Sequence, residues 1–166
     1  MNDSDYTIID NFLENFEFNQ IRSVMEGADF PWFFQNAVAE LSKTHLTDYY
    51  FSHTFYRSDT NMPSQMINLL TPILKKLPIN RLIRAKANLY PNVGTLLEND
   101  AHSDFPFDHN GAIFYINSNN GFTILHDGTK IESVANRILF FNSSQLHNST
   151  HCTDKKVRIN INFNYF

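Results

Sequence analysis

The second half of the chain follows the short alternating hydrophobic pattern of β-strands. From Leu82 onward, apolar and β-branched runs are separated by turn-forming sequences such as Asp127-Gly128, which favour tight connections between antiparallel strands. We therefore predict eight strands, at 82–90, 95–102, 111–116, 121–125, 129–134, 137–141, 146–152 and 157–165. Short strands with regular turns are typical of a barrel or jelly roll with helices packed outside.

The first half of the chain is predicted to mix short strands with two helices. Strands are expected at 6–12, 31–39 and 49–57. Residues 14–26 place four apolar side chains near one helical face, namely Phe16, Ile21, Val24 and Met25. Gly27 is expected to end this helix.

A second helix is expected from Pro63 to about Lys76. Pro72 lies inside that range and should kink the helix or end it early.

Composition and charge exclude several classes of protein. The 166 residues are 42% hydrophobic and 18% charged, as in a globular domain. The formal net charge is -4, whereas proteins that bind nucleic acids usually carry a basic surface. The one cysteine, Cys152, excludes an intramolecular disulfide and a cysteine-based zinc site. With no signal-peptide pattern and no apolar run long enough to span a membrane, we expect a cytoplasmic protein.

The sequence His102-Ser103-Asp104 is a candidate metal site. Residues two apart in an extended chain point to the same side, so this imidazole and this carboxylate can reach one ion. His147, 43 residues after Asp104, is expected to begin the seventh strand, whose start lies beside the end of the second strand in a double-stranded β-helix. Two histidines and one carboxylate on one face form the set used by oxygen-activating non-haem Fe(II) enzymes.

Arg158 is a candidate anchor for a carboxylate. It begins the last strand, 11 residues after His147, and its guanidinium suits a planar, bidentate contact. Strand alternation places Arg158, Asn160 and Asn162 on one face and apolar residues on the other. If Arg158 points inward, the inner wall of the barrel is polar, as a charged co-substrate requires.

The segment from Lys86 to Phe166, about half of the chain, resembles the 2-oxoglutarate/Fe(II) oxygenases of the prolyl 4-hydroxylase type. The resemblance is carried, in order, by Asn88-Leu89-Tyr90-Pro91-Asn92, His102-Ser103-Asp104, Ile113-Phe114-Tyr115-Ile116-Asn117, Arg137-Ile138-Leu139-Phe140-Phe141, His147 and Arg158. It implies a double-stranded β-helix in a single domain over 1–166, with residues 1–80 in support and the metal-binding core at 81–166.

The resemblance also implies residue roles. His102, Asp104 and His147 would bind Fe(II), and Arg158 would pair with the distal carboxylate of 2-oxoglutarate. Tyr115 looks like the phenol that donates to the same carboxylate, and Tyr90 like the tyrosine that lines the co-substrate pocket.

Two further polar residues are candidates for the same pocket. Asn88 shares a strand face with Tyr90, and Asn160 shares one with Arg158. Asn88 could contact co-substrate or substrate, and a structural hydrogen bond is an equally good interpretation.

The sequence departs from the family at two places. Only Gly121 stands where the family carries a Gly-Gly pair, and the N-terminal half matches no family motif. Prolyl specificity is therefore not implied. His53 and Arg57 share a strand face and are candidates for a substrate groove, whereas His45, His109, His126 and His151 are expected at the surface or at strand ends.

The predicted function is Fe(II)- and 2-oxoglutarate-dependent hydroxylation of an organic substrate, with release of succinate and CO₂ and with ascorbate as a reductant. A prolyl or peptidyl residue, an amino acid or a small metabolite would fit as the substrate. Two alternatives stay open. One is a non-catalytic β-helix module that binds a ligand, and the other is a cupin-type metalloenzyme that does not use 2-oxoglutarate.

Overall fold

The computed structural model describes residues 6–36, 49–60 and 62–166 of the chain. Within these ranges it contains ten β-strands, which are Tyr6–Ile9 (β1), Phe33–Gln35 (β2), Tyr50–Arg57 (β3), Leu82–Pro91 (β4), Asn110–Tyr115 (β5), Asn119–Ile124 (β6), Lys130–Ser133 (β7), Ile138–Asn142 (β8), Asn148–Ser149 (β9) and Val157–Tyr165 (β10). The helices are Asn15–Met25 (α1), the 3₁₀ helix Ile67–Leu70 and Thr71–Leu74 (α2).

The strands form a larger and a smaller antiparallel sheet. The described strands of the larger sheet have the order β1-β8-β5-β10-β4-β3-β2, and those of the smaller one the order β7-β6-β9. Side chains from the two sheets meet, since Arg158 on β10 donates to Ser133 on β7 and to Thr123 on β6. The predicted jelly roll, a double-stranded β-helix, is confirmed.

The central strand β10 separates an apolar layer from a polar one. Ile159, Ile161 and Phe163 belong to the hydrophobic core on the helix side of the larger sheet. Asn160 and Asn162 face the opposite way and line a cavity. The predicted alternation along this strand is confirmed. Strand β10 pairs with β4 and β5 at its edges, and its faces are covered by the helix-side core and by the smaller sheet.

Helix α1 packs on the larger sheet through a narrower face than the sequence suggested. Phe18, Ile21 and Met25 are its buried residues, at the spacing that lines up side chains on one side of a helix. Phe16 and Val24 were wrongly placed on that face, since they are 72% and 38% exposed.

The second predicted helix is shorter than expected. Instead of one helix over 63–76, the chain forms a 3₁₀ turn and then α2, which begins at Thr71. Pro72 occupies the first turn of α2, where its missing N–H costs no helical hydrogen bond. No helix among the described residues has the length and apolar character needed to cross a membrane.

Two predicted strands of the barrel are reduced. Residues 95–102 form isolated bridges, at Glu98 and at His102, instead of a strand. The strand predicted at 146–152 is the two-residue β9. Of the strand predicted at 31–39, the described part forms β2 at Phe33–Gln35, and residues 37–39 lie outside the described ranges.

The two phenylalanines of α1 give a matched test of this packing. Phe18 is 6% exposed and its ring centroid lies 6.1 Å from that of Phe114. We expect Phe18→Ala to reduce the free energy of unfolding by about 3–5 kcal/mol, measured by urea denaturation. Phe16→Ala should change it by less than about 0.5 kcal/mol. Equal effects of the two substitutions would contradict the observed orientation of the helix.

Candidate metal and co-substrate site

A cavity of about 160 Å³ opens between the two sheets. Its wall is formed in part by alternate residues of β4, which point to the same side of the strand, namely Arg84, Lys86, Asn88 and Tyr90. His102, Asp104 and His147 also line it. One cavity therefore joins the predicted metal ligands to the polar inner wall of the larger sheet.

The three predicted metal ligands lie together. One ligand atom from each of His102, Asp104 and His147 falls within 4.8 Å of the others. The Nε2 atoms of His102 and His147 lie 4.0 Å and 3.8 Å from the carboxylate oxygens of Asp104. Two backbone hydrogen bonds hold the histidines side by side, from the His102 N–H to the His147 carbonyl at 3.0 Å and in the reverse direction at 2.9 Å.

Both histidines present Nε2 to the centre of this cluster. The Nδ1 atom of His102 lies 3.3 Å from the Asp100 carbonyl oxygen, and that of His147 lies 3.0 Å from the Gln145 carbonyl oxygen. A hydrogen bond from Nδ1 to a carbonyl leaves the lone pair on Nε2, as metal ligation requires. Burial lowers the pKa of His147, with Asp104 opposing the shift, which favours the neutral ring that binds metals.

Two further side chains hold Asp104. Arg84 donates to one carboxylate oxygen, and the Asn164 amide donates to the other at 2.8 Å. Burial by itself would raise the pKa of Asp104, but the Arg84 guanidinium and His147 outweigh it and the pKa is lowered. The carboxylate is therefore ionised and fixed in orientation before any ion binds.

Arg158 is completely buried behind the cavity wall. Its Nε donates to the Ser133 hydroxyl at 2.8 Å and one Nη to Thr123 at 3.1 Å. The other Nη has no hydrogen-bond partner among the described residues. A buried cation with an unused donor is costly unless a ligand supplies the missing acceptor.

Tyr90 and Tyr115 surround this guanidinium. The guanidinium carbon lies 5.4 Å from the Tyr90 ring centroid and 5.8 Å from that of Tyr115. The Tyr115 hydroxyl is 2.8 Å from Thr123 Oγ1, the same hydroxyl that accepts from Arg158. Burial raises the pKa of both phenols, so each stays a neutral hydroxyl that can donate a hydrogen bond.

Gly121 leaves room for the arginine side chain. A Cβ at this position would lie 2.8 Å from Cδ of Arg158 and 2.7 Å from the His151 carbonyl oxygen. Both distances are shorter than real Cβ contacts allow. The single glycine at this place therefore serves the packing of Arg158.

Asn88 and Asn160 occupy the middle of the polar wall. They are paired in register between β4 and β10, and the Asn88 amide donates to the Asn160 side-chain oxygen at 3.1 Å. Both line the cavity, so the structural hydrogen bond and the position facing a ligand occur together.

His53 and Arg57 do not line the cavity. The ring of His53 is buried and lies within hydrogen-bond distance of the Pro31 carbonyl and the Ser64 hydroxyl. Arg57 is exposed and pairs with Asp59. A register shift between Thr54 and Tyr56 interrupts the alternation of β3, so the shared face expected from the sequence is lost.

The remaining described histidines lie at the surface or at strand ends, as expected. His126 is exposed, and His109 and His151 are buried beside the ends of β5 and β9. Nδ1 of each lies 2.7 Å from a backbone carbonyl oxygen, which stabilises a buried imidazole. His45 lies outside the described residues.

Several residues of the site were missed from the sequence. Arg84 and Lys86 share the β4 face of Asn88 and Tyr90, so the same alternation extended towards the start of the strand would have found them. Thr123 and Ser133, which accept from Arg158, carry no comparable signal because they belong to different strands of the smaller sheet.

The fold resembles solved structures of 2-oxoglutarate oxygenases at low sequence identity. A viral collagen prolyl hydroxylase from Paramecium bursaria Chlorella virus-1, in complex with 2-oxoglutarate, matches 99% of this chain and 98% of its own, with 15% identity and a TM-score of 0.59. A prolyl hydroxylase from Trichoplax adhaerens, in complex with a hypoxia-inducible-factor peptide, matches 99% of this chain and 84% of its own, with 17% identity and a TM-score of 0.63.

A third structure belongs to the same group. A 2OG-Fe(II) oxygenase family oxidoreductase from Burkholderia pseudomallei matches 96% of this chain and 84% of its own, with 10% identity and a TM-score of 0.67. No protein-family model matches the sequence, and no curated protein matches it. The structural matches span nearly the whole chain and establish the shared fold.

The ion pair at Asp104 makes stability depend on pH. The folded pKa lies below the ordinary value of 3.8, so the stabilisation is complete above that value and is lost as pH falls through the folded pKa. We expect Asp104→Asn, with EDTA present, to cost about 1–3 kcal/mol at pH 7 because the half-buried Arg84 loses its counter-charge. Urea denaturation at several pH values should show a shallower acid decline in the variant.

The exposed pair of Arg57 and Asp59 provides the control. Asp59→Asn should leave the free energy of unfolding nearly unchanged at pH 7, since exposed ion pairs contribute little. If Asp104→Asn is as mild as Asp59→Asn, the buried pair does not stabilise the fold as described.

Proposed function

We propose that this chain is a dioxygenase dependent on Fe(II) and 2-oxoglutarate, which hydroxylates an organic substrate and releases succinate and CO₂. The observation that carries the proposal is a pair of unused, buried nitrogen atoms. His147 Nε2 and one Nη of Arg158 have no hydrogen-bond partner among the described residues. The first lies in a cluster suited to a metal ion, and the second lies behind the wall of the same cavity.

The donor set fits Fe(II). Two imidazole nitrogens and one carboxylate suit a borderline divalent ion and leave coordination positions open. The Nδ1 contacts and the hydrogen bonds to Asp104 fix all three donors, as partners of metal ligands usually do. Bound there with 2-oxoglutarate, Fe(II) would supply the activation of O₂, coupled to oxidative decarboxylation of the co-substrate.

The residues around Arg158 fit the far carboxylate of 2-oxoglutarate. The free Nη can donate one charge-assisted hydrogen bond, and the Tyr115 hydroxyl can turn from Thr123 to donate another. Tyr90, Asn88 and Asn160 would line the co-substrate along the inner wall. These groups would orient the dianion and exclude water from the reacting end of the cavity.

The substrate is proposed only as a class at this stage. The neighbour from Trichoplax adhaerens holds a peptide, but a prolyl residue, a free amino acid and a small metabolite all suit the described pocket. The net charge of -4 disfavours nucleic acid. A single domain over 1–166 and a cytoplasmic location, where iron stays ferrous and Cys152 stays reduced, complete the proposal.

Turnover of 2-oxoglutarate tests the proposed activity. The chain is incubated with Fe(II), ascorbate and labelled 2-oxoglutarate, and released CO₂ and succinate are measured. We expect His102→Ala and Asp104→Ala to reduce release to background, since each removes one of three ligands, and to weaken Mn(II) binding measured without oxygen by about 10- to 100-fold or more. His126→Ala, an exposed histidine outside the cavity, is the control and should behave like the unmodified chain.

Other results would favour the alternatives. Absence of stoichiometric Fe(II) or Mn(II) binding at micromolar metal would favour a non-catalytic binding module. Metal-dependent activity that is indifferent to 2-oxoglutarate would favour an enzyme of the cupin type.

Arg158 tests the co-substrate site separately. Arg158→Lys keeps the positive charge but loses the planar pair of donors, so we expect the KM for 2-oxoglutarate to rise about tenfold or more while Mn(II) binding is retained. Arg137→Lys is the control because Arg137 pairs with Asp10 outside the cavity. An unchanged KM for 2-oxoglutarate in Arg158→Lys would show that the anchor lies elsewhere.

A further inference from the structure

Lys86 is a cation on the cavity wall that lacks an acidic partner. Its Nζ donates to the Tyr50 hydroxyl at 2.8 Å and lies 5.0 Å from the centroid of the Tyr50 ring. No ion pair among the described residues includes Lys86. Its neighbour on the same strand face, Arg84, is already paired with Asp104.

The surroundings of Lys86 call for an anion. Burial and the nearby Arg84 charge lower the pKa of Lys86 to about 8, with Asp104 acting in the opposite direction. The ammonium is therefore mainly charged at neutral pH. Its hydrogen-bond partner, the Tyr50 hydroxyl, is neutral and does not balance that charge. A buried charge of this kind is stabilised most by a ligand of opposite sign.

The proposed metal and co-substrate do not supply that anion. Fe(II), Arg84, Arg158 and Lys86 would together carry five positive charges, and 2-oxoglutarate and Asp104 three negative ones. The loaded site would therefore keep an excess of two positive charges. Arg84 is paired with Asp104 and Arg158 would face the far carboxylate, whereas Lys86 has no acidic partner in the described part of the chain.

The position of Lys86 along the strand separates it from the co-substrate anchor. Arg158 pairs in register with Tyr90, whereas Lys86 pairs with Asn162, four residues further along β10. Four residues of strand span roughly 13 Å. Lys86 is the neighbour of Arg84 on the strand face, so it lies towards the metal ligands, where a substrate must approach.

We propose that Lys86 binds a carboxylate of the substrate, and that this substrate is a small carboxylic acid, such as a free amino acid. The inference rests on the proposed function and deepens it. The cavity of about 160 Å³ is smaller than the roughly 300–1,000 Å³ typical of ligand pockets. A cavity of this size favours a compact substrate.

Calorimetry tests the inference without turnover. The chain is saturated with Mn(II) and then with 2-oxoglutarate under nitrogen, and the twenty free amino acids and simple dicarboxylic acids are titrated in, each beside its carboxamide. We expect at least one acid to bind and its carboxamide to bind about 10- to 100-fold more weakly, the range for a hydrogen bond to a charged group. The acid that binds should also stimulate CO₂ release from 2-oxoglutarate when Fe(II) and air are supplied.

Substitution of Lys86 identifies the residue that recognises the carboxylate. Lys86→Met keeps the length of the side chain and removes the charge. It should therefore weaken binding of the acid by about 10- to 100-fold and leave the weaker binding of the carboxamide nearly unchanged. A merely structural role would weaken acid and carboxamide alike. Lys86→Arg should restore most of the difference, and Lys130→Met, whose ammonium lies over Phe122 outside the cavity, should change neither.

Three outcomes would overturn the proposal. In the first, acid and carboxamide bind equally well to the unmodified chain. In the second, no small acid binds although Mn(II) and 2-oxoglutarate do. In the third, Lys86→Met weakens the binding of 2-oxoglutarate as strongly as Arg158→Lys does. Failure of Mn(II) or 2-oxoglutarate to bind at all would instead contradict the proposed function, so the two failures are distinguishable.

Discussion

The hydrogen-bonded bridge between His102 and His147 is the constraint on which the site depends. It joins two segments far apart in the chain through a reciprocal pair of backbone bonds, although neither segment forms a long strand there. The bridge sets the two backbones side by side. Each imidazole is then oriented by a contact between its Nδ1 and the backbone carbonyl two residues earlier. Asp104, which follows His102 by two residues, is then brought within 4.0 Å of both Nε2 atoms. The backbone pairing of His102 with His147 thus sets the shape of the whole cluster.

The second determinant is the difference in polarity between the two faces of the larger sheet. One face of β10 carries isoleucine and phenylalanine into the helix-side core. The other carries asparagines that line the cavity and Arg158, which lies behind the cavity wall. The asparagines of that face have hydrogen-bond partners or line the cavity, as buried polar groups usually do, whereas one Nη of Arg158 has no partner among the described residues. Neutral amides follow Arg158 along this face of β10, and two further cations, Arg84 and Lys86, lie on the neighbouring strand β4. Around the cavity, the space between the two sheets is therefore lined mainly by polar side chains and is not filled by an apolar core.

Sequence reasoning found the strands and the cluster because both rest on strong periodic or chemical signals. The alternation in β4, β5 and β10 predicted their bounds to within one residue, and parity correctly placed Arg158 inside. It failed where tertiary packing overrides local pattern. The expected face of α1 included Phe16, which is exposed, and residues 95–102 pair only at isolated points. The face expected to be shared by His53 and Arg57 was misjudged because a bulge in β3 leaves no mark in the sequence. The partners of Arg158 were missed since they depend on how the sheets meet.

The contact between Gly121 and Arg158 joins two positions that are distant in sequence. With hydrogen in place of a side chain at 121, the arginine stem can pass directly along the backbone of β6. Were a methyl group introduced there, the backbone at His151 would have to shift and the side chain at 158 would have to be shorter or displaced. The two positions are therefore expected to evolve as a unit. Among natural relatives of this chain, bulkier residues at 121 should occur together with loss of the arginine. Such chains would need another strand to supply the cation that we propose for 2-oxoglutarate.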